Sequence, residues 1–485
     1  MRRIIAASLL AIVALCSALG AVTLEPRNRP PKGLKQSSFR FPKPTQFKLA
    51  NGLTVLMYRK TTTPVVYLQL WFKAGNADEP KGLTGLHDIL ADMLTEGTTK
   101  RSSKQIAEEV AFIGASLNSG AGPDTLRVTA SALSRDFDTI FSLFADVALN
   151  ATFPEDELKK KKRRALSVLK YQRSRPKYHA AKLAYKLIYG DHPYGRAYPS
   201  EASIKATTRE LLLAAKARLM TPNNAVLVVV GDIDPKRVTA KVNLLFSAWK
   251  KGAPIQRPSL PTTKLCGRRI QLIDRPSSVQ SLILVGWPAI ERRHKDYFDL
   301  TLMNQVLGGG ATGRLFQNLR EKRGLTYGAY SSLDAALYGG DLTLSTSVRN
   351  AVTGQALTAI FDELKRIRAQ PVTSSELDDA RSYLLGRFPL SLETPGEIAQ
   401  RLAIQRIYEL GDDFFQDYSR RIRGVDKSGI LSAAKTYVRP DDVVVVIVGK
   451  RSAIEKQIRP FGALTVWSLE GNKLFQSPLP KRCAK

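Results

Sequence analysis

Residues 221–234 read TPNNAVLVVVGDID, and residues 439–452 repeat the same arrangement as RPDDVVVVIVGKRS. Each stretch is a polar turn with proline, followed by an unbroken apolar run that ends at Gly231 or Gly449. A short apolar run bounded by turn residues is typical of a strand that is buried on both faces. The tripeptide Ala-Ala-Lys also precedes both turns. This internal similarity predicts two homologous repeats in the chain.

The rest of each repeat mixes predicted strands with predicted helices. A chain of 485 residues indicates more than one domain. Alternating apolar and polar residues predict strands, and apolar residues at helical spacing predict helices. The predicted strands are 54–58, 65–72, 269–273 and 281–286, and the predicted helices are 103–113, 135–147 and 296–307. We therefore predict the α+β class, with a mostly antiparallel sheet packed with helices in each repeat.

The N-terminus predicts export. Arg2 and Arg3 precede the apolar run 4–21, in which small residues offer a cleavage site before Ala21. This arrangement is typical of a secretory signal peptide, and the run is short for a retained membrane anchor. We expect an exported, periplasmic protein. The predicted division is a signal peptide (1–21), an extended leader (22–45), an N-terminal domain (46–251), a proline-rich linker (252–265), a C-terminal domain (266–462) and a tail (463–485).

Export would leave two cysteines, Cys266 and Cys483. An oxidising compartment permits them to form a disulfide that ties the chain end to the start of the second repeat. The sequence leaves this pairing open, because spacing alone does not establish connectivity.

The chain carries a formal net charge of +31. Its densest cationic run, KKKKRR at 159–164, follows the acidic PEDEL on a predicted helix, an order that the helix dipole favours. A solvated cationic helix face explains this run, and export argues against nucleic acid as a partner. An acidic partner subunit or an anionic envelope surface could also use the positive field.

Five segments carry a resemblance to a known family: NGLTVLMYRK, GLTGLHDILADMLTEGTTKRS, GASLNSGAGPDTLRVTASAL, YGDHPYGR and LGGGATGRLFQNLREKRGLTYGAYS. Over about residues 46–460 the chain resembles the insulinase/pitrilysin family of zinc peptidases, particularly its short two-domain bacterial members. The resemblance implies an α+β fold repeated twice, as in the mitochondrial processing peptidase. It also implies that two such chains, or two halves of a longer one, close around a chamber that holds a peptide.

The zinc-binding residues of that family are replaced in this sequence. The family's H-x-x-E-H falls on Asp88, Ala91 and Asp92, and the segment expected to supply a third ligand, 165–175, contains no acid. Zinc hydrolysis needs nitrogen- or sulfur-rich ligation and a base that activates water, and Ala91 provides neither. We predict no metal site in this chain. Asp88 and Asp92 could share a hard cation such as calcium, but a solvated or ion-paired helix face is the commoner arrangement, and the basic composition favours pairing with Lys or Arg.

The second repeat keeps a pair of residues that the family uses. In REKRGLTY, Arg320 and Tyr327 stand seven positions apart. The resemblance implies that this pair faces the zinc site of the catalytic half and contacts the substrate. A guanidinium and a phenol can hold a peptide carbonyl and stabilise its oxyanion. The alternative is structural, with Gly324 ending a helix and Tyr327 packing in a strand.

Two further places are predicted to contact a peptide, Asn118 and the run Gly308, Gly309 and Gly310. Three glycines could suggest a phosphate-binding loop. The run lacks the Gly-Lys-Ser/Thr ending of such loops and does not follow a strand into a dinucleotide fold. A tight turn between two helices is therefore the better interpretation, and nucleotide binding is rejected.

The leading hypothesis is a non-catalytic subunit of an exported heterodimeric zinc peptidase. The chain would supply half of the peptide chamber and the Arg320–Tyr327 pair, and a homologous partner subunit would carry the zinc. One alternative is a catalytically inactive peptide-binding or scaffold protein of the same fold. A second alternative is a self-sufficient peptidase with an unusual site. The sequence does not decide between a heterodimer and a homodimer, or identify the substrate.

Overall fold

The computed structural model describes residues 41–261, 263–478 and 483. The predicted signal peptide and most of the predicted leader lie outside these residues. The described chain contains two sheets, one in each repeat. The strands are β1 (Thr45–Lys48), β2 (Thr54–Arg59), β3 (Val65–Phe72), β4 (Ser116–Ala121), β5 (Leu126–Leu133), β6 (Ala225–Gly231), β7 (Arg268–Asp274), β8 (Gln280–Ala289), β9 (Thr326–Ala336), β10 (Gly339–Arg349), β11 (Val443–Gly449), β12 (Ala463–Trp467) and β13 (Lys473–Gln476).

Helices cover the sheets in both repeats. The first repeat contains α1 (Leu86–Met93), α2 (Ser103–Phe112), α3 (Phe137–Asn150), α4 (Glu155–Arg173), α5 (Pro176–Tyr189), α6 (Glu201–Ala206), α7 (Arg209–Leu219) and α8 (Pro235–Phe246). The second contains α9 (Tyr297–Gly308), α10 (Arg314–Phe316, continued by a π-helical turn Gln317–Lys322), α11 (Thr353–Ala369), α12 (Ser374–Leu390), α13 (Pro395–Ile407), α14 (Tyr418–Gly424), α15 (Lys427–Tyr437) and α16 (Arg451–Ile458). Short 3₁₀ turns lie at Asn76–Asp78, Ser134–Asp136, Pro193–Arg196, Pro222–Asn224, Asn350–Val352 and Arg459–Phe461.

The two valine-rich runs form equivalent central strands. The first sheet has the order β1-β2-β6-β3-β5-β4, and the second has the order β13-β12-β7-β11-β8-β10-β9. Every residue of β6 and β11 is buried. Each of these strands pairs in parallel with one neighbour and antiparallel with the other. The other strand pairs are antiparallel except for β12 with β7, which is parallel. The predicted duplication and the predicted α+β class are confirmed.

Each repeat contributes one helix to the sheet of the other. Helix α5 packs on β8 and β11, where Ala180, Ala184 and Ile188 lie among the valines of the second sheet. Helix α13 packs on β3 and β6 of the first sheet. Gln69 Nε2 donates a hydrogen bond of 3.0 Å to the carbonyl of Gly396 at the start of α13. The two repeats are therefore joined by a helix of each that packs on the sheet of the other.

The second sheet extends beyond the predicted end of its domain. Strand β12 pairs in parallel with β7, and β13 pairs with β12. Residues 463–476, which we predicted to belong to a tail, are therefore part of the sheet, because the apolar residues of ALTVW cover its edge. Cys266, just before β7, is joined by a disulfide to Cys483. No helix among the described residues is long and apolar enough to span a bilayer.

Candidate functional site

Helix α1 is positioned by a buried carboxylate at its start. Glu79 accepts hydrogen bonds from the backbone N–H groups of Gly85 and His87, at 3.0 and 2.8 Å. Gly85 precedes the helix with a φ of 94°, in the left-handed region that favours glycine. The apolar face of α1 is buried in the core of the first repeat. This burial places Asp88 and Asp92 on the opposite, exposed face.

The two aspartates stand where the resemblance places zinc-binding histidines. Asn76 Nδ2 lies 3.4 Å from one oxygen of Asp88, at the limit of a hydrogen bond. Partial burial of the Asp88 carboxyl raises its pKa. The hydrogen bond from Asn76 opposes this increase, and the charge of Asp92 adds to it. Neither carboxylate forms an ion pair with Lys or Arg within residues 41–261 and 263–478. The predicted pairing is therefore wrong, and the solvated face describes these residues.

The residue at the position that the resemblance gives to the general base, Ala91, does not face solvent. Ala91 is buried in the core, and its carbonyl accepts a 2.6 Å hydrogen bond from Ser119 Oγ on β4. His87 does not replace the missing ligands: its Nδ1 lies 2.7 Å from the carbonyl of Gly75, its side chain is fully buried, and burial lowers its pKa to about 4. The described residues contain no group of three or more His, Cys, Asp or Glu side chains that could hold a metal. The residues on α1 do not fit zinc.

Asn118 lies on an exposed sheet edge beside α1. Strand β4 pairs only with β5, where Asn118 is opposite Thr129. The Asn118 side chain is exposed, and its neighbour Ser119 joins β4 to α1. An edge strand can pair through its backbone with an extended peptide. This geometry is compatible with the predicted contact between Asn118 and a peptide.

The structure brings Arg320 and Tyr327 together. Gly324 ends the π-helical turn with a φ of 61°, and the chain returns so that Arg320 Nη1 donates a 3.2 Å hydrogen bond to the backbone carbonyl of Tyr327. The Arg320 guanidinium also lies over the Phe316 ring, 4.9 Å from its centroid. The Tyr327 side chain is 88% exposed on β9, the edge strand of the second sheet. The structural alternative of a packed Tyr327 ring therefore does not describe this residue.

The two candidate places, the face of α1 with Asp88 and Asp92 and the Arg320–Tyr327 pair, are separate within this chain. In the described part of the chain, no hydrogen bond or ion pair links Arg320 or Tyr327 to Asp88 or Asp92.

The glycine run forms the predicted turn between two helices. Helix α9 ends at Gly308, and five residues separate it from the start of α10 at Arg314. A Cβ on Gly308 would lie 2.7 Å from the backbone nitrogen of Ser331 on β9, and one on Gly309 would lie 2.4 Å from Gln305 Oε1. Gly310 has more room. Gly308 thus allows the turn to pack closely against the strand that carries Tyr327, and Gly309 allows it to pack against Gln305 on α9.

A buried aspartate that the sequence analysis did not identify joins the two repeats. Asp124 lies in the turn between β4 and β5 and is 2% exposed. Its carboxylate accepts hydrogen bonds from the hydroxyl of Tyr194, from the hydroxyl of Tyr408 at 3.1 Å and from the backbone N–H of Leu337 at 2.9 Å. Burial raises its pKa. Because Leu337 lies in the turn between β9 and β10, Asp124 connects the hairpin that carries Asn118 to the hairpin that carries Tyr327.

Comparisons with known proteins agree with this architecture. Residues 54–199 match the family model for insulinase (peptidase family M16), and residues 206–384 match the model for the peptidase M16 inactive domain. An uncharacterized zinc protease of Rickettsia felis is 30% identical over 288 residues, which cover 59% of this chain and 69% of that protein. The uncharacterized zinc protease YmxG of Bacillus subtilis is 26% identical over 72% of this chain and 84% of that protein.

Solved structures show the same fold over nearly their whole length. The crystal structure of a peptidase M16 inactive domain from Pseudomonas fluorescens is 28% identical, with a TM-score of 0.79, over 85% of this chain and 99% of that one. A protease from Helicobacter pylori, 20% identical with a TM-score of 0.76, covers 84% and 99% and shares the fold. The chain therefore belongs to the insulinase family, peptidase family M16, as a member of its non-catalytic type in which the zinc-binding positions of the first repeat are replaced.

Proposed function

We propose that this chain is the non-catalytic subunit of a heterodimeric M16 peptidase that is exported to the periplasm. One observation carries the proposal: Tyr327 is exposed on a sheet edge with Arg320 held beside it, in a chain whose α1 lacks metal ligands. The zinc and the general base would belong to a homologous partner subunit. The relatives described as zinc proteases support a peptidase as the kind of partner.

Arg320 and Tyr327 would bind the reacting part of the peptide. The hydrogen bond from Arg320 Nη1 to the Tyr327 carbonyl uses one of the five donors of the guanidinium. Arg320 Nε lies 3.4 Å from Glu321 Oε1. The other guanidinium donors and the Tyr327 hydroxyl would bind a peptide carbonyl. Donors of this kind, held in place before reaction, stabilise the negative charge that develops on the carbonyl oxygen. The stacking of Arg320 on Phe316 supplies the required rigidity.

The remaining chain would supply one wall of the chamber. Strand β4, with Asn118, offers an edge on which an extended peptide can pair. Asp124 ties the tip of the β4–β5 hairpin to the tip of the β9–β10 hairpin, so the two edges keep a fixed relation. The wall is thus preorganised, which lowers the entropy cost of peptide binding.

A second candidate function is peptide binding without hydrolysis. The observation that favours it is that Arg320 is already engaged by the Tyr327 carbonyl and by Phe316. In that case the same edges would hold a peptide or a partner protein, and no turnover would depend on the pair.

Reconstitution separates the two functions. The mature chain is co-expressed with an M16 homologue from the same source that retains H-x-x-E-H, and the complex is purified through a tag on this chain. Cleavage of a quenched fluorescent peptide library is measured for this chain, for the homologue and for the complex. We expect activity only in the complex. An active homologue alone, or the absence of a complex, would exclude the subunit function.

Export has its own measurement. The full-length protein is expressed in its source organism, and periplasmic and cytoplasmic fractions are compared. We expect the protein in the periplasm, with a mature N-terminus at or near Ala21. A cytoplasmic protein that retains Met1 would contradict this part of the proposal.

A further inference from the structure

A second concave surface lies on the first repeat and contains none of the residues assigned above. It is a groove of about 1050 Å³ between the C-terminal ends of α3, α7 and α8 and the first residues after α8. Its lining combines lysines with large apolar side chains. Such a mixed lining is typical of a surface that recognises a partner carrying both charge and apolar area.

The groove has an excess of positive charge that this chain does not neutralise. Five cationic side chains line it, against the single acid Asp146. Asp146 forms an ion pair with Arg101, with 2.7 Å between Asp146 Oδ2 and Arg101 Nη1. Among the described residues, no carboxylate forms an ion pair with Lys100, Lys250 or Lys251. Three cations in one concavity create a field that attracts an anionic group.

The ends of the helices do not account for these three lysines. The last carbonyls of α3 accept hydrogen bonds from Lys216 Nζ, which lies 2.7 Å from the Leu149 oxygen. The side-chain amide of Asn224 donates a 2.8 Å hydrogen bond to the last carbonyl of α7. The side-chain amide of Asn51 donates one of 2.7 Å to the last carbonyl of α8. Carbonyls at all three helix ends thus have donors other than Lys100, Lys250 and Lys251.

The apolar part of the groove is exposed and rigid. Leu244 is 75% exposed on α8, beside the half-buried Leu245. Trp249 packs against Phe72 and Phe246, with ring centroids 6.0 and 5.9 Å apart, so its position is fixed. A groove lined by an exposed leucine, a packed tryptophan and several cations has the composition of a binding hot spot with a polar rim.

We propose that this groove binds an acidic segment of another polypeptide that carries at least one large apolar side chain. The carboxylates of the segment would pair with Lys100, Lys250 and Lys251, and its apolar side chain would cover Leu244. Charge complementarity selects an acidic partner. The concave shape selects a polypeptide segment, because a flat bilayer surface cannot enter the groove. This interaction is independent of the Arg320–Tyr327 pair and of the proposed peptidase complex.

The probe is a short fluorescein-labelled peptide of glutamate and leucine in helical amphipathic order, measured by fluorescence anisotropy with the purified mature chain. Lys250→Glu combined with Lys251→Glu should weaken binding about tenfold or more, because two attractions become repulsions. Leu244→Ser should weaken it about tenfold through lost apolar contact. The matched controls are Arg163→Glu with Arg164→Glu, two adjacent exposed cations outside the groove, and Phe112→Ser, an apolar residue that is 91% exposed elsewhere.

Several results would overturn the proposal. One is no binding of the Glu/Leu peptide; another is binding that the Arg163/Arg164 variant weakens as much as the Lys250/Lys251 variant does. Equal binding of a peptide in which serine replaces leucine would exclude the apolar contact. Sedimentation with phosphatidylcholine–phosphatidylglycerol vesicles, lost in the Lys250/Lys251 variant without any peptide binding, would assign the lysines to a membrane surface instead. Circular dichroism of each variant verifies that it is folded.

Discussion

The hydroxyl of Tyr408 donates a hydrogen bond to Asp124 Oδ2, with 3.1 Å between the oxygens, and this bond joins the second repeat to the first. The same carboxylate accepts the backbone N–H of Leu337 at the tip of the β9–β10 hairpin. One buried side chain therefore holds the tips of two hairpins whose outer strands are β4 and β9. The relative placement of the two candidate peptide-binding edges, β4 and β9, therefore depends on Asp124, which lies on neither strand.

Replacing Asp124 should loosen this connection. Asp124→Ala leaves two tyrosine hydroxyls and the Leu337 N–H without their acceptor, and each unpaired buried donor costs about 1–3 kcal/mol. We expect the free energy of unfolding in urea to fall by about 3 kcal/mol or more. Asp124→Asn should cost less, because the amide keeps one acceptor oxygen. Asp413→Ala, at an exposed position, is the control; a loss equal to that of Asp124→Ala would contradict the role assigned to Asp124.

Much of the fold could be predicted from the sequence because its strongest signals are local. Runs of valine specified β6 and β11, and alternation specified β3, which has the predicted bounds of 65–72. The loss of zinc ligands was visible for the same reason, since His and Glu are absent from positions on a single helix.

The features that could not be predicted depend on contacts between distant segments. Asp124 follows Gly-Pro in a turn, a context that normally indicates an exposed residue, and only the docking of the second repeat buries it. The exchange of α5 and α13 has no local signature, because an alanine-rich helix face does not specify which sheet it covers. Strands β12 and β13 are short, and the pairing of β12 with β7 joins segments that are distant in the sequence.

Glu79 should give the stability a pH dependence. Burial raises its pKa from 4.5 to about 8, against the hydrogen bonds from His87 and Gly85. Between these values the folded state holds a proton that the unfolded state releases, so the free energy of unfolding falls as pH rises through this range. The lowered pKa of His87 has the opposite effect, but only between about 4 and 6.5. Above pH 6.5, Glu79 is therefore the member of this pair that titrates.

The test compares Glu79→Gln with the wild type from pH 6.5 to 8. Over this range the free energy of unfolding of the variant should fall by about 1–2 kcal/mol less than that of the wild type, because one pKa unit corresponds to about 1.4 kcal/mol. Other buried acids, such as Asp341, contribute equally to both proteins and cancel. Glu108→Gln, on an exposed helix face, should follow the wild type. Parallel curves for Glu79→Gln and the wild type would show that Glu79 is ionised in the folded state.

The disulfide between Cys266 and Cys483 should contribute to stability. It joins residues separated by 217 positions, and closing a long loop restricts the unfolded chain. Reduction, or the double substitution Cys266→Ser and Cys483→Ser, should lower the free energy of unfolding by about 2–5 kcal/mol. Reductant should have no further effect on the double variant. If the wild type has the same stability with and without reductant, the bond does not stabilise the fold.

Tyr327→Phe tests the chemistry assigned to this chain, in the reconstituted complex with the zinc-bearing homologue. The change deletes one hydroxyl on an exposed ring and leaves the fold intact, so assembly should be normal and peptide binding only slightly weaker. If the hydroxyl donates to the developing oxyanion, its loss should lower kcat by about 10²–10³. Tyr330→Phe is the matched control, since it makes the same change on the same strand, and it should keep full turnover.

Arg320→Ala should also lower kcat and should raise KM more, because the guanidinium holds the substrate before reaction. Arg323→Ala is its control, because Arg323 bonds to Asn318 on its own helix, at 2.8 Å. Full turnover in both the Tyr327 and Arg320 variants would mean that the pair only ends a helix, and the function would then be peptide binding without hydrolysis.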